Sequence, residues 1–445
     1  MAATHERKSM KGYYLTTFLI GLGFFTMGLM DPLYDTYVPK FLERYIEKKA
    51  LIGTIMTLDN IFAIFLIPVF AAISDRTRTK IGRRMPFIIT FLPLSAIAFG
   101  LIPFTALNSL ILLILMVFCL NIFKQSVRGP VVALMPDIIP GEIRSEANGV
   151  INTMGGIATI VGTLFLARLM NVRVNLPKLG PTDSILAFPL ASILVVVAVV
   201  LLFLFVKESK SNYSEKAAKE KVPILKSLKM IFGEKDKSAF FVLLSLLFWF
   251  IGYQGVLPFV GLYSKNILRT SPANEALAAG MVGVSYAIFA IPSGIIAHKF
   301  GRKKTIRGAL IALIVVLSFI FLHNVFLTNP SSVPEGSYAP LNSILILFWA
   351  LMFLFGIFWV TVITNSFPML WQMADYANIG IYTGLYYFFS QLASIIAPPI
   401  TGALIDLFGY GALFLFAAAC MLIAFICMSR VKRGEPKDDA APVAS

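Results

Sequence analysis

The chain is poor in charge. Asp, Glu, Lys and Arg make up 14% of its 445 residues, against about 25% in an ordinary soluble domain. Cysteine is scarce too: Cys119, Cys420 and Cys427 all fall inside apolar runs, which excludes a disulfide framework and a metal cluster. No nucleophile–base pair and no metal-ligand spacing appears, so an enzyme is not expected. A cleaved leader is not expected either. Met1 to Lys11 is polar and basic, and the apolar run after it is too long for a signal-peptide core and has no small-residue cleavage pattern. Nothing resembling an appended soluble domain is seen beyond a stretch from Lys207 to Ser238 and a short polar tail from Lys432 to Ser445.

What the chain has is apolar length. Hydrophobic residues account for 58%, and the runs reach the ~20 residues needed to cross a bilayer as a helix. Polar breaks divide them into twelve, near 12–43, 50–73, 86–106, 108–135, 145–170, 184–206, 239–262, 277–298, 305–326, 342–372, 378–404 and 410–430. The net charge of +15 sits in loops beside these runs, which is the signature of a cytoplasmic membrane face and argues against nucleic acid. Lys40, Arg44, Lys48 and Lys49, in the first outer loop, run against that bias.

The densest basic loop holds Arg76, Arg78, Lys80, Arg83 and Arg84, and His298 to Lys304 echoes it in the second half. The repeat predicts two bundles, 1–206 and 239–445, joined by a linker over 207–238. Ile224, Leu225, Leu228, Ile231 and Phe232 of that linker share one helical face, suited to a short amphipathic helix on the inner membrane surface. The third, sixth, ninth and twelfth runs are apolar all round and suit lipid contact; the polar groups lie in the others. That spacing suggests two three-helix repeats per bundle.

Five charges lie inside the runs, all in the first half: Asp31, Asp35, Asp59, Lys124 and Arg128. A charge at mid-membrane costs ~2.5–3.5 kcal/mol or more and needs a partner, a cavity or a task. At ~1.5 Å per residue, Asp59, Asp35 and Asp31 lie ~13, ~12 and ~18 Å from the outer surface, and Lys124 ~24 Å. Three carboxylates at one level repel unless a cation or proton sits among them, the chemistry of a coupling-ion site with Asn60 beside it. Lys124 has the reach to meet Asp31; Arg128 lies further inward. Two alternatives stay open. Asp35 can sit at an outer rim beside Lys40 or Arg44, and Asp31-Pro32 can end the first helix early.

Asn121, Lys124, Gln125 and Arg128 share a face of helix 4, and Asn148, Asn152, Thr159 and Thr163 a stripe on helix 5. The second half offers Tyr253 and Gln254 on helix 7, Trp359 and Asn365 on helix 10, and Tyr386 and Gln391 on helix 11. Aromatic faces with amides and acids suit a neutral polyol, so these residues, with Asn121, Lys124, Gln125, Arg128 and Asn152, form the expected solute site.

Asp75-Arg76 followed by Gly82-Arg83-Arg84 resembles the loop 2–3 signature of the major facilitator superfamily, with Ala71 at the usual first glycine. Ser74 to Pro86, with its Thr-Arg-Thr insertion, and Arg128-Gly129-Pro130 through Pro136-Asp137 to Arg144-Ser145-Glu146-Ala147-Asn148-Gly149 are similar to the glycoside–pentoside–hexuronide:cation symporters and the related sucrose-transporter group. The resemblance implies an all-α fold of twelve transmembrane helices in two six-helix bundles with both termini cytoplasmic. It implies a monomeric multi-pass protein of the cell's inner membrane that imports a sugar with H⁺ or Na⁺ and needs no other cofactor. Na⁺ at Asp59 is the one metal ion the pattern admits. A cytoplasmic gate is implied at Asp75, Arg76, Gly82, Arg83, Arg84, Asp137 and Arg144. Asp75 would be satisfied there by Arg83, Arg144, or a helix N-terminus near Asn378. The chain departs from the best-known members in having Asp59-Asn60 where they pair two acids, which leaves the cation open. Alternatives are a proton-coupled exporter of small amphiphiles, against which helix 5 has Gly155-Gly156 without proline, and a symporter of lysolipids or other solutes.

Overall fold

The computed structural model describes residues 12–139, 144–176, 180–208, 231, 233, 235–329, 333–334, 337–373 and 379–434. Among them, twelve helices are long and apolar enough to cross a membrane. Numbered as spans, they are α1 (Tyr14–Glu43), α2 (Lys49–Met56 and Leu58–Arg76), α3 (Met85–Asn108), α4 (Leu110–Ile138), α5 (Arg144–Ile160, continued as Val161–Phe165 and Leu166–Asn171) and α6 (Ala187–Phe205). The second half has α7 (Ser238–Asn266), α8 (Pro272–Glu275 and Leu277–Phe300), α9 (Arg302–Phe326), α10 (Ser343–Trp371), α11 (Ile379–Phe408) and α12 (Gly411–Ser429). A two-stranded hairpin, β1 (Val174–Leu176) and β2 (Gly180–Thr182), links α5 to α6. The amphipathic segment expected around Ile224 to Leu228 lies outside the described residues.

The packing repeats itself. α1 packs on α5 and α6, α2 on α4, and α3 on α4 and α6; in the second half α7 packs on α11 and α12, α8 on α10, and α9 on α10 and α12. The uniformly apolar α3, α6, α9 and α12 present large side chains outward, among them Ile97, Ile193, Phe319 and Leu422, as bilayer contact demands.

Three spans are less regular than their apolar runs implied. α2 breaks at Thr57 and α8 at Ala276, so both begin with a short separate segment. α5 loosens into a wider-pitched turn at Val161–Phe165 and then tightens through Leu166–Asn171. Helix 1, in contrast, does not end at Asp31-Pro32 but runs on to Glu43. Pro32 frees the carbonyl of Gly28, and the Thr159 hydroxyl donates to it at 3.4 Å.

The two halves meet along α1–α7, α2–α11 and α5–α8. At the α2–α11 crossing the backbones touch. A Cβ on Gly53 would stand 2.2 Å from the Pro398 carbonyl oxygen, and one on Gly402 2.3 Å from that of Lys49, so only glycine fits either place.

Candidate functional site

A cavity of about 540 Å³ lies between the halves, lined from α1, α2, α4, α7, α10 and α11 and by none of the four lipid-facing helices. One wall is ionic. It carries Asp31 and Asp35 from α1, Asp59 and Asn60 from α2, and Lys124 and Arg128 from α4. The opposite wall carries Tyr253 and Gln254 from α7, and Tyr386 and Gln391 from α11.

On the ionic wall, Lys124 Nζ pairs with Asp31 Oδ1 at 2.5 Å. The ammonium, on a lysine only 3% exposed, also lies 5.4 Å from the centre of the Tyr34 ring, a cation–π contact. Asp59 sits in the first turn of the second segment of α2, where the helix dipole favours an anion. Its Oδ1 accepts from the Asn60 backbone and side-chain nitrogens, both at 2.7 Å. Asp35 lines the cavity and is no rim residue. Its candidate outer partners are otherwise engaged, Lys40 with Glu275 and Arg44 over the ring of Phe41.

The aromatic wall is layered. Tyr253 stacks on Trp359, ring centres 3.9 Å apart and planes at 4°, and lies parallel to Phe355 behind it. Phe250 meets Trp359 and Tyr386 edge-on. Gln254 donates to Ser394 at 2.6 Å, and the Tyr386 and Ser366 hydroxyls lie 3.0 Å apart.

Four residues expected to touch the solute stand behind these walls. Asn121 turns its amide to the Tyr34 hydroxyl at 3.0 Å, and Gln125 is buried away from the cavity. Trp359 is covered by Tyr253. Asn365 donates to the carbonyls of Thr361 and Ser293 and so ties α10 to α8. The side chains of Asn152, Asn148 and Arg144 lie outside the described residues. Cavity residues that sequence reasoning missed include Met56, Phe250, Phe367, Tyr387, Ser390 and Ser394. A signal existed: most lie three or four residues from Asp59, Asn60, Gln254 or Gln391 and so share their helical faces.

At the end bearing the basic loop, Asp75 pairs with Arg84 rather than Arg83, because Arg84 turns inward and Arg83 is drawn to Asp137. Arg84, 4% exposed, also bonds to Ser74 and to Asp137 Oδ2 at 2.9 Å. Arg76 is exposed. An unforeseen member is Glu208, whose carboxylate accepts the amide protons of Arg83, Arg84 and Met85 at 2.6, 2.9 and 2.8 Å and caps α3. Gly82 has φ +116 there, and a Cβ on it would strike that carboxylate at 2.5 Å. The contacts named here join the first half to itself and to Glu208 at the start of the linker.

The opposite end is bridged between the halves. Lys40 pairs with Glu275 at 2.8 Å, and Tyr37 donates to the Pro272 carbonyl at 2.6 Å. Glu43 pairs with Lys49 at 3.0 Å and with Lys265 at 2.5 Å. Asp406 of α11 accepts the amides of Lys49 and Ala50 at 2.8 and 3.0 Å. Lys40 and Lys49, which ran against the charge bias of the loops, thus have acidic partners.

A family model described as Major Facilitator Superfamily matches residues 13–374 and 271–445. A search of curated proteins finds no match. The fold is that of a D-xylose–proton symporter, with TM-score 0.68 at 13% identity over 95% of this chain and 98% of the other. It is also that of a bacterial homologue of the human lysosomal transporter Spinster in an inward-facing, occupied conformation (0.67, 12%, 95% and 97%). A nucleoside transporter shares it as well (0.67, 12%, 93% and 100%).

Proposed function

The chain belongs to the major facilitator superfamily and is an integral membrane transporter of small molecules; within that family we propose that it is a symporter of a sugar or glycoside with H⁺ or Na⁺, akin to the glycoside–pentoside–hexuronide group. The observation that carries this reading is the two-faced cavity, with carboxylates on one wall and stacked aromatic rings with amides on the other. Asp59, with Asp31, Asp35 and Asn60, binds the cation. Lys124 answers its arrival by sharing Asp31. Tyr253, Gln254, Tyr386 and Gln391 hold the sugar, rings against its apolar face and amides against its hydroxyl groups. The halves 1–206 and 239–445 rock about this midplane site. With both termini cytoplasmic, the basic loop faces inward, and the bridges at Lys40, Glu43 and Asp406 seal the outside in an inward-facing state. Asp75 then re-pairs across the halves when the inner side shuts.

Uptake into proteoliposomes over a panel of sugars, under imposed Na⁺ or H⁺ gradients, tests the reading. Gradient-dependent accumulation of one sugar is expected. The five rings on the second wall favour one other reading, transport of an amphiphile; sugar-independent dye efflux from the same vesicles would replace the first with it.

A further inference from the structure

Arg128 is unlike the other ionic residues of the cavity. Lys124 is committed to Asp31, whereas Arg128, one turn further along α4, is exposed on the cavity wall and makes no ion pair among the described residues. Asp59 lines the same cavity but forms no ion pair with Arg128. By helix rise, Arg128 lies ~27 Å from the start of α4 and Asp59 ~15 Å from the start of α2, a difference greater than an arginine side chain spans. Once the cavity closes and dries, an unmatched guanidinium costs several kcal/mol. Its planar fork matches one kind of partner best, a carboxylate or a phosphate or sulfate ester held through two hydrogen bonds.

We propose that the solute is an organic anion, its acidic group on Arg128 and its ring on the face of Tyr253. The inference rests on the symport reading and narrows its substrate. Tyr253 is backed by Trp359 and lines the wall opposite Arg128, so ring and acidic group are recognised on opposite walls. Cations on Asp35 and Asp59 remove the repulsion such a solute otherwise meets from the acids, which makes coupling a condition of binding and not an accessory to it.

The test is calorimetric binding to the purified full-length protein in saturating Na⁺ at acid pH. The probes are phenyl β-glucoside and phenyl β-glucuronide, and a sugar-free pair, phenylacetamide and phenylacetate. The glucuronide is expected to bind at least about tenfold tighter than the glucoside, a preference that Arg128→Gln abolishes and Arg128→Lys keeps in part. Equal affinity for the two glycosides, or equal weakening of both by Arg128→Gln, overturns the proposal and leaves the sugar reading standing; the second result marks Arg128 as a counter-ion for Asp59. Arg128-dependent binding of phenylacetate with neither glycoside bound keeps the anion site and removes the sugar. Binding of none of the four overturns both.

Discussion

Lys124 and Asp31 form an ion pair at 2.5 Å that joins α4 to α1 on the cavity wall, with the lysine buried and the aspartate 40% exposed. The asymmetry decides what each substitution does. Asp31→Asn strands the buried ammonium and is expected to cost about 3 kcal/mol, the low end for breaking a buried pair because Asp31 is partly hydrated. Asp31→Asn with Lys124→Gln is expected to regain most of the thermal stability in detergent but none of the uptake. Recovery of uptake would make the pair purely structural.

Asp59→Asn is expected to abolish accumulation against a gradient while exchange of internal for external solute persists. The side chain lines the cavity and, among the described residues, bonds only to Asn60, so expression and melting temperature are expected to change little. Normal accumulation would remove Asp59 from coupling.

At the bridged end, Glu275→Gln and Asp406→Asn together remove the partner of Lys40 and weaken the cap on Lys49 and Ala50. The equilibrium is expected to move toward a state open at that end. A cysteine at Thr36, now packed against Gly261, in a background lacking the three native cysteines, is expected to react several-fold faster with an impermeant maleimide, about 1 kcal/mol of population shift. Unchanged labelling would show that the remaining contacts, Tyr37 on Pro272, Glu43 on Lys265 and the glycine crossings, hold the seal without these two acids.

Gly82→Ala combines a positive φ with a collision on Glu208. It is expected to cost about 1–3 kcal/mol in the first half and to lower the melting temperature. Glu208→Gln, which keeps the shape and loses the charge at the start of α3, is expected to cost less, about 0.5–1 kcal/mol. An equal loss from both would mean the charge, and not the backbone, is what the loop depends on.

Much of this was legible in the residues. Apolar runs predicted all twelve spans, and counting 1.5 Å per residue predicted the meeting of Lys124 with Asp31. The breaks at Thr57 and Ala276 were not legible, because neither Thr nor Ala interrupts a helix by propensity; tertiary contacts impose them. Nor does composition tell a ring on a wall from the ring behind it. Tyr253 and Trp359 are equally aromatic and equally mid-helix, and only the stacking shows that one covers the other. The loop acids were half legible. Asp75 needed a partner, sought in Arg83, Arg144 or a helix N-terminus, but Arg83 and Arg84 are adjacent, and which of them meets it depends on which turns inward.

The break at Thr57 has a mechanical meaning. On one side of it, Lys49–Met56 is clasped to α11; on the other, Asp59 and Asn60 face the cavity. On the proposed function, load sensor and door would share one lever with a one-residue swivel between them. A signal from cargo to seal would then travel within a single span, with the lipid-facing helices as passive frame.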